Sequence, residues 1–345
     1  MEQIIKLINE GKINQALEEA RKLPYPDRML AEGIINFHTG NNRKSKELLK
    51  RYIKEKPDNP ESYYYLGNIY LEEKNIEKAI RYLEKAVRLK QKADYYNDLG
   101  YAYFLKGDYK KAIEYYDRAI KINPNLSVTY YNKALAYRKM GNIKEAIKNY
   151  SKAIALNPDD PDYYYNLGIA YRLNNEPQKA IHSYKKAIQL DPYNENYWNN
   201  LGNAYYNIGD YKKAVECYKK AVEINPSFFL GWQNLANTFL DIGEYEKAVK
   251  AFKKAIKIDK RCADCYMDMG IALKELGRYD EALKAYEKAV EIDPSQKAIF
   301  LYNKACLYAS KGEMQKAKDL LKETFRLDPS LKEYAKSDPD VMDLV

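Results

Sequence analysis

Large apolar and aromatic residues recur at three- and four-residue intervals along nearly the whole chain, as in Leu167, Tyr171 and then Ala180, Tyr184 and Ala187. This spacing gathers them on one side of a 3.6-residue helix and predicts a succession of amphipathic helices, each burying one face. A slower pattern lies on top. Small residues return at Gly33, Gly67, Gly100, Ala134, Gly168, Gly202, Ala236, Gly270 and Ala305, 33 to 35 residues apart. With each taken as position 8 of a unit, position 20 is alanine at Ala79, Ala112, Ala146, Ala180, Ala214, Ala248, Ala282 and Ala317. Position 27 is alanine at Ala86, Ala119, Ala153, Ala187, Ala221, Ala255 and Ala289. Two antiparallel helices approach closely only where a side chain is nearly absent, with bulky Tyr or Leu filling the space around the contact.

The stops keep the same register. Position 15 is Gly107, Gly141, Gly209, Gly243, Gly277 or Gly312, suited to a left-handed residue after the first helix. Asp108, Asn142 or Asp210 then stands ready to cap the second. Pro124, Pro158, Pro192, Pro226, Pro294 and Pro329 fall where the second helix has to end.

One unit reads Trp198, Leu201, Gly202, Tyr205, Ala214, Tyr218, Ala221 and Pro226. That pattern resembles the tetratricopeptide repeat. The resemblance covers nearly the whole chain and implies an all-α fold, a right-handed α-α superhelix of about nine helix pairs. Units start at residues 26, 60, 93, 127, 161, 195, 229, 263 and 298 and fill 26–331. Residues 1–25 form a partial N-terminal pair, with Gly11 at its turn and Ala16 packed behind; 332–345 form a C-terminal capping segment, expected as a helix interrupted by Pro339. The first full unit is degenerate, with Ser45 and Tyr52 where alanines belong. Lys133 and Lys304 replace the leucine of position 7, and Gln91 and Lys260 the final proline, so looser packing or an altered helix angle is expected at those seams.

The resemblance further implies that first helices line a concave wall to which positions 2, 5, 6, 9, 12 and 13 point. Position 6 reads Tyr65, Asp98, Asn132, Asn166, Asn200, Asn234, Asp268 and Asn303. Asparagine is a mediocre helix former, so its return wants a reason. One reason is an amide ladder for the backbone of an extended peptide, extended by Asn199, Asn203 and Asn237 and similar to the repeat region of O-GlcNAc transferases. The other is that the amides satisfy neighbouring groups of the array itself. Tyrosines at positions 4, 11 and 24, such as Tyr96, Tyr103 and Tyr116, are expected in the core. Those at position 5, namely Tyr64, Tyr131, Tyr165 and Tyr302, are expected to face the groove. Arg138, Lys139 and Arg172 make one stretch of wall basic, while Asp241, Asp268 and Glu275 make a later one acidic. A carboxylate clamp of the co-chaperone kind does not fit, because Tyr64, Val128 and Asn132 take its basic slots and Asp98 an asparagine slot.

Composition narrows this little. The 58 basic and 49 acidic residues are interspersed, which describes a solvated surface and argues against a nucleic-acid tract. No apolar run is long enough for a membrane span, and the start lacks a signal peptide, so a cytoplasmic protein is expected. Cys262 and Cys265 lack a second ligand pair for zinc. Inert thiols are the expectation, with a reversible disulfide or a metal as alternatives. No phosphate loop, nucleophile elbow or metal motif is present. The expected function is therefore a non-catalytic scaffold without cofactor or metal, binding a protein or peptide; an RNA-binding array and self-association through terminal repeats stand as alternatives.

Overall fold

The structure, a computed structural model, describes all 345 residues and contains helices but no strands. It divides into two units, Met1–Asn175 and Glu176–Val345. The first holds α1 (Glu2–Asn9), α2 (Ile13–Arg21), α3 (Asp27–His38), α4 (Asn42–Glu55), α5 (Pro60–Glu72) and α6 (Ile76–Leu89). It continues through α7 (Ala93–Lys106), α8 (Tyr109–Ile122), α9 (Ser127–Lys139), α10 (Ile143–Leu156) and α11 (Pro161–Leu173). The second unit holds α12 (Pro177–Leu190), α13 (Glu195–Asn207), α14 (Tyr211–Ile224), α15 (Phe229–Asp241) and α16 (Tyr245–Ile258). It ends with α17 (Ala263–Glu275), α18 (Tyr279–Ile292), α19 (Lys297–Ser310), α20 (Met314–Leu327) and the five-residue α21 (Leu331–Ala335). Within each unit a first helix packs on its second, and that second helix on the first of the next pair, which is the repeat solenoid.

The small slots explain the pairing. Every alanine at positions 20 and 27 is fully buried. At position 8 the glycine lies under the side chain of position 24: a Cβ on Gly202 would come within 2.6 Å of the Tyr218 ring, and one on Gly100 within 2.7 Å of Tyr116. Tyr96, Tyr103 and Tyr116 are buried, as expected of ring-filled volume. The degenerate repeat is repaired by a hydrogen bond, since the buried Ser45 hydroxyl donates to the Gly33 carbonyl at 2.7 Å. Trp198 and Trp232 donate their indole N–H to the carbonyls of Pro192 and Pro226, joining the family's Trp and Pro positions across consecutive repeats.

The punctuation also appears in the geometry. Asp108, Asn142 and Asp210 accept backbone N–H groups of α8, α10 and α14. Position 15 is left-handed even without glycine, at Lys74 and Asn175, both with φ of 58°. Lys133 sends its amine to Asp117 at 2.5 Å and across the Tyr137 ring, so only 15% of its side chain is exposed. α6 and α16 end near Gln91 and Lys260 without proline. The tail corrects one expectation: after α21 it runs through turns to a 3₁₀ turn at Met342–Leu344, because Pro339 leaves no room for a longer helix. No helix is long and apolar enough to cross a membrane.

Candidate functional site

In each unit the first helices are neighbours: α3, α5, α7 and α9 in one, α13, α15, α17 and α19 in the other. The amides on these walls pair mainly with groups of the array itself. Asn132 donates to Asn97 Oδ1 at 3.2 Å, Asn166 to the Tyr131 hydroxyl at 3.0 Å, and Asn234 to Asn199 Oδ1 at 2.9 Å. In every case position 6 of one repeat reaches position 5 of the repeat before it. Asn132, Asn166 and Asn199 are buried. Three residues proposed for a peptide ladder are thus spent on joining repeats.

The tyrosines of position 5 serve the same junctions. Tyr64 stacks on Tyr95 of the next repeat with ring centroids 4.5 Å apart, and Tyr131 stacks on Tyr163 at 4.9 Å. Tyr302 is buried and donates to Asp338 of the tail at 2.6 Å, which corrects the expectation of an open groove ring. Tyr165 is half-buried beside Arg138 and Arg172. Arg138 is half-buried and donates to Asn166 Oδ1 at 3.4 Å, while Arg172 and Lys139 are exposed.

Asp98 sits at the centre of the first wall. It accepts from Asn68 at 3.1 Å and from Asn97 at 3.0 Å, and the Tyr64 hydroxyl lies beside it. Burial nevertheless holds its carboxyl above the usual range. Asn97 both donates to Asp98 and accepts from Asn132, so one side chain closes two links.

The second wall begins similarly. Asn234 also donates to Asn203 Oδ1, which accepts the Tyr218 hydroxyl as well, at 2.7 Å. Asn200 donates to its own helix at Asn196 O, and Tyr206 donates to Asp241 at 2.6 Å. Beyond α15 the pattern stops. Asp268 is half-buried, has no hydrogen-bond donor, and burial followed by Asp264 and Asp241 pushes its carboxyl up to about 6. Asn303 also lacks a partner. Both border a cavity of about 690 Å³ closed on one side by tail residues. Lys274 lines it too, held by Asp340 and, at 2.9 Å, by Glu275. Burial alone would lower its pKa, but these two carboxylates keep it above the usual lysine range.

Cys262 and Cys265 are joined by a disulfide at the start of α17, a correction to the inert-thiol expectation for that pair. The two residues fall within one helical turn, which brings their sulfurs together. Cys217 and Cys306 are free and buried, each pushed up to about 12 by burial, so both stay protonated and unreactive. Sequence inspection missed Lys274, Tyr286, Gln296 and the tail as parts of the cavity. The available signal was Met267, a hydrophobic residue at a position 5 that elsewhere on the walls is mostly polar or aromatic.

No curated protein matches the sequence. Among solved structures, the C-terminal part of a TPR repeat-containing protein from Cytophaga hutchinsonii is 22% identical, covering 70% of this chain and 99% of that one, with a TM-score of 0.56. PilW, a widely conserved type IV pilus biogenesis factor, is 21% identical over 59% of this chain and 94% of its own, with a TM-score of 0.51. MamA from Desulfovibrio magneticus RS-1 is 29% identical over 49% of this chain and 96% of its own, with a TM-score of 0.46. The first two likenesses show the fold alone. Tetratricopeptide repeat families match residues 37–99, 93–126, 115–148 and 134–175. The family described as the cilia and flagella-associated protein 70 C-terminal domain matches residues 160–335. With the periodic small slots, paired helices and left-handed turns already described, the chain belongs to the tetratricopeptide-repeat family, and residues 160–335 to its cilia and flagella-associated protein 70 C-terminal domain group.

Proposed function

We propose that this chain is a non-catalytic interaction scaffold that takes an extended segment of a partner protein along a wall of first helices. The family's fold points to a protein-interaction scaffold. The finer reading rests on amides that the array leaves open. Asn237 is the observation that carries it: the residue lines the cavity, and its Oδ1 is buried without a hydrogen-bond partner. An unmade bond of this kind costs about 1–3 kcal/mol, a cost that a bound backbone N–H would remove. Asn303 offers a second free amide on the same wall. Asn132, Asn166 and Asn199 support the scaffold from within, by holding adjacent repeats in register. In the first unit Lys139 and Arg172 leave exposed cations that suit acidic residues of a partner.

Panning the purified full chain against a display library of random dodecapeptides tests the proposal. Peptides are expected to be retained, and the double variant N237A/N303A is expected to lose them while its melting curve is kept. Retention of nothing, or undiminished retention by the double variant, would end the proposal.

A further inference from the structure

The two aspartates of position 6 occupy equivalent places in their repeats. The hydroxyl at position 5 of the preceding repeat (Tyr64) lies beside Asp98, which accepts from position 9 of the preceding repeat (Asn68) and position 5 of its own (Asn97). At Asp268 those places hold Gln233, Asn237 and Met267. Gln233 turns its amide to Cys262 Sγ at 3.9 Å, Asn237 does not donate to Asp268, and Met267 has no donor to give. A carboxylate that the fold elsewhere surrounds with N–H and O–H groups is bare here.

The groups around it are mostly acceptors. Gln296 donates its Nε2 to Asp264 at 2.6 Å, which leaves its Oε1 buried and unpartnered. Asn237 Oδ1 is unpartnered as well, and so is the hydroxyl of the fully buried Tyr286, as is that of Tyr116 at the same position of an earlier repeat; Gln296, Asn237 and Tyr286 all contribute to the lining of the cavity. Its only cation, Lys274, is taken by Asp340 and Glu275. An anion would meet bare carboxylate and carbonyl oxygens with no free positive charge, whereas an ammonium or guanidinium brings several N–H donors and the missing charge.

We infer that the cavity between α15, α17 and α19 is a recognition site for an arginine or lysine side chain of the bound segment, with Asp268 as its counter-charge and Gln296, Asn237 and Tyr286 as acceptors. The inference rests on the peptide-binding reading above and adds what the segment has to carry. Asp241 and Asp264 add negative charge on the same wall, which draws a cation to the entrance.

Two substitutions of opposite logic test it. D268N removes the counter-charge. M267N installs an asparagine where the first wall has Asn97, able to donate to Asp268 and accept from Asn303, and so closes the site from inside. Peptides selected by the wild-type chain are expected to share a basic residue at one position, and both variants to select without that preference. A selected peptide should bind either variant roughly tenfold to a hundredfold more weakly, the worth of one charge-assisted hydrogen bond. Thermal melts at least as high as that of the wild type are expected for both, which separates loss of binding from loss of fold. Selected peptides with no basic preference, or a preference that survives D268N, would overturn the inference and leave peptide binding standing. If no peptide is selected, the broader reading fails and this one with it.

Discussion

Asp98 and Asp268 are the same residue type at the same position of two different repeats, and their surroundings treat them oppositely. The first accepts from two amides of adjacent repeats with a tyrosine hydroxyl beside it; the second faces acceptors and other carboxylates. In a repeat array, then, consensus position alone does not distinguish a structural polar residue from an available one. The distinction lies in what positions 5 and 9 of the neighbours supply, and Met267 in place of asparagine withdraws that supply from both Asp268 and Asn303.

The largest effect is expected from a change that should hit both walls alike. Gly202→Leu forces a side chain into the Tyr218 ring, and Gly100→Leu into Tyr116, so each should lower stability by roughly 1–3 kcal/mol or more in a denaturant melt. An unchanged melt for either would contradict the position 8 contact. Next comes Asn97→Leu, which strips one donor from Asp98 and the acceptor from Asn132; about 2 kcal/mol of destabilisation is expected. Met267→Leu, at the equivalent place, should cost less than about 1 kcal/mol. Equal losses at the two positions would erase the contrast.

Charge removal sharpens it further. In the folded chain Asp268 holds its proton up to about pH 6, above the usual aspartate value of 3.8, so its contribution to stability is fully present below about pH 4 and lost as pH rises through 6. D268N should therefore stabilise at pH 7 by about 1–2 kcal/mol after allowance for its partial exposure, and the gain should vanish near pH 4. D98N should destabilise at pH 7, because its amide N–H₂ would face donors. The smallest effect concerns neither aspartate: K74G relieves a left-handed residue and should add up to about 1 kcal/mol, a useful control for background drift between variants.

Much of the architecture was legible because it depends on local rules. The absence of side chains at Gly202 and Ala214, the left-handed slot at Gly209 and the cap at Asp210 can each be recognised within one repeat. That the amides satisfy neighbouring groups of the array is one of the two sequence readings, but the partners at position 5 of the previous repeat carry no pattern of their own, since they join residues 35 apart through the offset of packed helices. That is why the sequence alone leaves Asn132 and Asn166 open between ligand contact and internal pairing. Lys74 and Asn175 concealed the turn of position 15 because neither is glycine, although asparagine is the commonest substitute there. The cavity could not be anticipated either, because its far side comes from Tyr334, Asp338 and Asp340, a stretch without periodicity.

The Asn97 bridge spans only adjacent repeats and never skips one. Gene duplication of that unit would copy Asn97 and Asp98 but leave Asn132 in the unit beyond, so the new junction would set an aspartate where an amide donor stood, while a single-residue insertion in a first helix would disengage the side chains before and after it. Arrays of this design can grow or shrink by entire modules only where the new neighbours match at positions 5 and 6.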